Sequence, residues 1–121
     1  MEKEISPRRI KFYLKKARNL IEGGWTRSAY ARNKDGKAVP YNHSSACRFC
    51  LLGAVYRSIE PIKNNRDQTV LHIEMRNALE SALKSNLSAA SRLDLVGFND
   101  YCVAGKSQVL DLFDEAIEGI K

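Results

Sequence analysis

The run Phe49-Cys50-Leu51-Leu52-Gly53-Ala54-Val55-Tyr56, the longest apolar stretch, constrains this chain more than any other feature. A bilayer span takes about 20 residues, so a run this short belongs inside a folded core. Extended backwards through Ala46, Cys47 and Arg48, it outgrows a typical buried strand. Ser44 or Ser45 can cap a helix there. The expectation is a central buried helix over 46–56, with Gly53 and Ala54 letting another element approach closely.

The flanking segments supply what such a helix packs against. Ser6 is a fair N-cap and Pro7 a favoured first helical residue. Ile10, Tyr13, Leu14, Ala17, Leu20 and Ile21 then recur every three or four residues until Gly23-Gly24 ends the helix. Arg8, Lys11, Lys15 and Arg18 fall on another face, and Phe12 points away from the apolar stripe. Between Trp25 and Val39 the pattern is a hairpin: Ala29-Tyr30-Ala31-Arg32, a turn at Asn33-Lys34-Asp35-Gly36, then Lys37-Ala38-Val39 before Pro40. A third helix is expected from about Asp67 to Ser85, with Leu71, Met75, Ala78, Leu79 and Ala82 inward. Leu87 to Val96 reads as a short fourth, ended by Gly97. The last starts at a Ser107 cap, with Val109, Leu110, Phe113, Ala116, Ile117 and Ile120 opposite Asp111, Asp114, Glu115 and Glu118. No repeat or linker divides the chain, so one domain spans 1–121. The fold class is α+β, mainly α: about five helices around a central buried helix, with one β-hairpin between helices 1 and 2.

Hydrophobic residues at 44% and charged residues at 28% are ordinary globular usage, which argues against disorder. The N-terminal residues show no signal-peptide pattern, no run is long enough for a membrane, and three cysteines suit free thiols in a reducing compartment. A cytoplasmic location is expected. The formal charge of +6 is uneven. Met1 to Arg66 carries 7 Lys and 8 Arg against 5 acids, or +10; Asp67 to Lys121 carries 3 Lys and 2 Arg against 9 acids, or −4. Either the two halves face and partly neutralise each other, or the basic half offers a surface to nucleic acid or to an acidic protein.

Few motifs carry chemistry. Cys47 and Cys50 form a C-x-x-C with His43 upstream and Cys102 far downstream, a possible Cys3His zinc set. Structural zinc usually comes as knuckles in polar loops, and buried free cysteine explains the same residues, so no metal and no cofactor are expected. Gly105-Lys106-Ser107 lacks the leading glycine of a P-loop, having Asp100 in that place. His72, near Glu74 and Arg76, reads as a residue of a solvated helix face. Asn99-Asp100 follows Gly97-Phe98 at a turn, where such side chains commonly bond local backbone. Trp25 reads as a core anchor rather than a stacking platform. Arg32 and Asp100 are expected to pair, with Trp25, Tyr30, Arg32, Asn99 and Asp100 forming a candidate pocket.

Gly24-Trp25-Thr26, Ala29-Tyr30-Ala31-Arg32, the Asp35-Gly36 turn, Cys50-Leu51-Leu52-Gly53-Ala54 and Asn99-Asp100 occur in that order, followed by Val109…Phe113-Asp114…Ala116-Ile117. In this the chain resembles a small family of uncharacterised proteins from bacteria and their phages, a domain of unknown function. The family pattern has a tryptophan before the Asn-Asp pair where this chain has Phe98. The resemblance implies a bacterial or phage source and a compact helical domain bearing a hairpin, and no activity. From the residues, the expected function is that of a small non-enzymatic interaction or regulatory protein. It would dock on a host macromolecule, an acidic protein surface, through Arg8, Lys11, Phe12, Lys15 and Arg18. The alternatives are nucleic-acid binding through that stripe and Arg27, Arg32 and Lys37 of the hairpin, or an enzyme or small-ligand binder using the pocket.

Overall fold

The computed structural model of the chain describes residues 5–86 and 94–121, leaving aside the side chains of Asn86 and Cys102. Helix α1 runs Pro7–Gly23. Ser6 accepts the Arg9 N–H at 3.2 Å, Pro7 opens the first turn, and the Gly24 N–H closes the last on the Leu20 and Ile21 carbonyls. The spacing buries Ile10, Leu14, Ala17 and Ile21 as expected.

Three two-residue strands come next: β1 Ala31–Arg32, β2 Ala38–Val39 and β3 Arg48–Phe49. They form a sheet in the order β2-β1-β3, antiparallel throughout, with Ala31 opposite both Val39 and Phe49. The expected hairpin is present but shorter, since only Ala31 and Arg32 of its first strand pair with β2. Its turn obeys the sequence signal: Asn33 Oδ1 accepts the Asp35 and Lys37 N–H groups at 3.0 Å, and Gly36 takes the left-handed conformation at φ 82°.

Strand β3 corrects the sequence reading, which placed these residues in the central helix. The Phe49 N–H donates to the Gly24 carbonyl at 2.9 Å, the Thr26 N–H to the Phe49 carbonyl at 3.1 Å, and the Cys50 N–H to the Tyr30 carbonyl at 3.1 Å. Backbone groups taken sideways in this way cannot also close helical turns. Helix α2 therefore spans Leu51–Ile59, capped by Cys50 and not by Ser44 or Ser45. The Cys50 sulfur accepts the Gly53 N–H at 3.3 Å. Close approach here demands glycine twice. A Cβ on Gly53 would collide with the Tyr30 carbonyl, and one on Gly24 with the Cys47 carbonyl.

Leu51 through Val55, Ser58 and Ile59 are all buried, so α2 is the core helix foreseen. It lies against α1 and against α3, Asn65–Asn86. Helix α3 starts two residues before Asp67, with Asn64 Oδ1 accepting the Asp67 N–H at 3.0 Å. Of the expected fourth helix, 87–93 lies outside the described residues. Its remainder is a single turn, α4 Leu95–Gly97, capped by Asp94 and running into a π-helical turn at Phe98–Cys102. Helix α5, Lys106–Glu118, begins after Gly105 and not at Ser107, which falls inside the first turn. It buries Val109, Leu112, Phe113 and Ala116 against α1 and α3, while Leu110, Ile117 and Ile120 stay half-buried at the margin. The architecture is mainly helical with a small sheet. Among the described residues no helix is long and apolar enough to cross a membrane.

Candidate functional site

Two surfaces gather the residues that the sequence singles out. The first is the outer face of α1. Phe12 is 60% exposed, with its ring edge-on to Tyr13 at 5.0 Å. Arg8, four residues before it, and Lys15, three after, are its neighbours on the helix surface. Together with Lys11 and Lys121 they line a shallow depression of about 370 Å³.

Arg18, expected on this face, is taken by the acidic half of the chain. Its Nε and Nη2 grip the two carboxylate oxygens of Asp114 at 2.6 and 3.2 Å, and Nη1 meets Glu22 at 2.6 Å. The hydrogen bond to Asp114 is the main reason its pKa is raised. Arg9 is held likewise by Asp67 at 3.0 Å, chiefly through that hydrogen bond. The two halves thus neutralise each other in part. Among the described residues no carboxylate pairs with Arg8, Lys11 or Lys15.

The second surface is a cleft of about 450 Å³ between residues 28–30, the start of α2 and the π-helical turn. Its organiser is Asn99, 1% exposed. Asn99 Oδ1 accepts the Trp25 indole N–H at 2.8 Å and the Leu51 N–H at 3.1 Å, an orphan donor of the first turn of α2. Its Nδ2 donates to the Thr26 carbonyl at 3.2 Å and to Asp100 Oδ1 at 2.8 Å. All four hydrogen-bonding positions of the amide are filled. Asp100 Oδ1 also accepts the Ser28 N–H at 2.9 Å, pinning Ser28 in the left-handed region at φ 67°. A non-glycine residue costs about 1–2 kcal/mol in that conformation.

Tyr30, Asn99 and Asp100 of the expected pocket therefore line one cleft, and Trp25 holds Asn99 from behind. Arg32 does not join them, and its expected pairing with Asp100 is not formed. Its guanidinium donates to Thr26 Oγ1 and the Gly36 carbonyl, both at 2.9 Å, tying down the hairpin turn. The arginine near Asp100 is Arg27, stacked on Trp25 at 4.7 Å and donating to the Asp100 and Val103 carbonyls at 3.3 Å. The sequence reading missed Ser28, Ala29, Cys50, Leu52, Val96 and Tyr101 as lining residues. Only Tyr101, an aromatic next to a polar turn pair, left a signal.

The other motifs resolve into local roles. The C-x-x-C is split between exposed Cys47 and buried Cys50, whose thiol pKa is raised by burial. Among the described residues no three His, Cys, Asp or Glu side chains are grouped to hold a metal, and the Cys102 side chain lies outside them. Lys106 donates to the Glu22 carbonyl at 3.1 Å, binding the start of α5 to the end of α1. His72, expected on a solvated face, is half-buried against Tyr56 with ring centres 4.8 Å apart. Burial first, and then Arg76, lowers its pKa.

Against this geometry, the model of a family of unknown function, DUF6197, matches residues 6–119. No curated protein and no solved structure matches the chain.

Proposed function

We propose, for a chain that belongs to the DUF6197 family of unknown function, that it is a small non-enzymatic docking protein of the bacterial or phage-infected cytoplasm. Its α1 face binds an acidic protein surface. One observation carries this reading. Phe12 stands exposed between Arg8 and Lys15 with Lys11 alongside, and among the described residues no carboxylate pairs with these cations as Asp67 and Asp114 do with Arg9 and Arg18. Aromatic and arginine side chains such as Phe12 and Arg8 are the types enriched at the centre of protein interfaces, and lysines belong to the rim around them. The cations steer an acidic partner in, and the desolvated ring supplies the holding contact. Arg18 is not part of the interface proposed.

The polar groups that chemistry would recruit have other work here. Cys50 caps α2, Lys106 secures α1 and Arg32 fixes the hairpin, which supports the non-enzymatic reading. Nucleic acid is disfavoured because α5 presents Asp111 and Glu118 to solvent, where they repel phosphate.

The test uses fluorescence anisotropy with an acidic peptide carrying one tryptophan among its glutamates, the same peptide with alanine there, and a DNA duplex. The protein should prefer the tryptophan peptide, Phe12→Ala should erase that preference, and Lys11→Glu with Lys15→Glu should weaken both peptides. Tight duplex binding that falls with salt by about 0.9 log units per log unit for each phosphate contact would replace this reading with nucleic-acid recognition.

A further inference from the structure

The cleft shares no residue with the α1 face and has its own chemistry. Its volume suits a small molecule. Of the five large apolar side chains that stand exposed among the described residues, three gather here: Tyr30 at 51%, Val96 at 42% and Tyr101 at 82%. Leu52 and Cys50 continue the apolar wall inward.

The polar groups at the cleft are unequal. The Asn99 amide is fully engaged, and the first-turn amides of Leu51 and Gly53 are spent on Asn99 and the Cys50 sulfur. The start of α2 therefore has little to offer an anion. Arg27 turns to backbone carbonyls and not to the carboxylate of Asp100. Of that carboxylate, Oδ1 takes two N–H groups, while Oδ2 has no partner among the described residues. A cleft lined by a carboxylate and two tyrosines carries the recognition set for an organic ammonium, combining a charge-assisted hydrogen bond with cation–π attraction. The backbone around it adopts two uncommon conformations, left-handed Ser28 and the π-helical turn, of a kind concentrated at binding sites.

We propose that this cleft binds a small organic cation, an ammonium group on an apolar body, with Asp100 Oδ2 holding the charge and Tyr30 and Tyr101 flanking it.

Calorimetric titration of the full chain with 2-phenylethylamine, its neutral counterpart 2-phenylethanol and its anionic counterpart phenylacetate tests the assignment. The amine should bind at least about tenfold more tightly than the alcohol, with phenylacetate weakest. Asp100→Asn keeps an acceptor for Ser28 and should abolish the preference for the amine. Tyr101→Ala alters a side chain with little burial and should weaken the amine several-fold without lowering the Tm. If Asp100→Asn fails to fold, the wild-type ranking and Tyr101→Ala decide. Equal binding of amine and alcohol, preference for phenylacetate, an unchanged affinity in Tyr101→Ala, or no saturable binding of the amine would overturn the proposal. Lys11→Glu with Lys15→Glu should leave amine binding intact, so the two sites stand or fall separately.

Discussion

Asn99 joins three parts of the chain through one amide. Trp25 and Thr26 come from the segment after α1, Leu51 from the start of the core helix, and Asp100 from the same turn. Asn99→Ala would leave the indole N–H, the Leu51 N–H and the Thr26 carbonyl without their partner in a closed environment. A loss of about 2–4 kcal/mol in urea unfolding is expected, where a loss below about 1 kcal/mol would show that these bonds are dispensable. Turn propensity marked Asn99 and Asp100 as bonding local backbone. Their one local bond instead runs from side chain to side chain, and the backbone groups they hold lie 48 to 73 residues away. His72 shows the same blindness, since a position beside Glu74 and Arg76 gives no sign of the Tyr56 ring that covers it. Because burial lowers its folded pKa below the ordinary 6.5, the unfolded chain binds the proton more readily. Stability should therefore fall as pH drops below about 6.5, levelling off once the folded-state pKa is passed. Unfolding curves at about pH 7.5 and about pH 5 should show a smaller loss for His72→Gln than for wild type, and equal losses would exclude His72 as a source of the slope.

At the scale of elements, α1 was readable to the residue because Ser6-Pro7 and Gly23-Gly24 act through bonds within one turn. The central helix was readable in kind and not in extent. Apolar residues from Phe49 to Tyr56 satisfy a buried strand and a buried helix equally, and β3 is set by pairing with β1, 16 to 18 residues earlier. Gly53 carries the clearest consequence of the true arrangement. Gly53→Ala should cost about 3 kcal/mol or more, because the new methyl meets the rigid backbone of Tyr30 and not a side chain that can turn aside. Gly23→Ala, with open space around the added carbon, should be nearly neutral or slightly stabilising. Thermal melts of the two variants compare them directly, and a mild effect at Gly53 would contradict the close contact between the hairpin and α2.

For the molecule as a whole, the uneven charge was visible in the sequence, and the two readings of it divide the surface between them. Arg9 and Arg18 meet Asp67 and Asp114 across the fold, while Arg8, Lys11 and Lys15 stay outside those pairs. No count of charges along the chain could assign individual cations to one fate or the other, because that depends on which helix lies beside each. Docking through the α1 face is the central functional claim. Amide chemical-shift mapping of the isotope-labelled protein during titration with the tryptophan-bearing acidic peptide tests it most directly. Shifts should concentrate at Arg8, Lys11, Phe12, Lys15 and Lys121, with Arg18 and the Arg27–Lys37 segment unmoved. Shifts centred on the hairpin arginines, or spread over every basic residue alike, would contradict it.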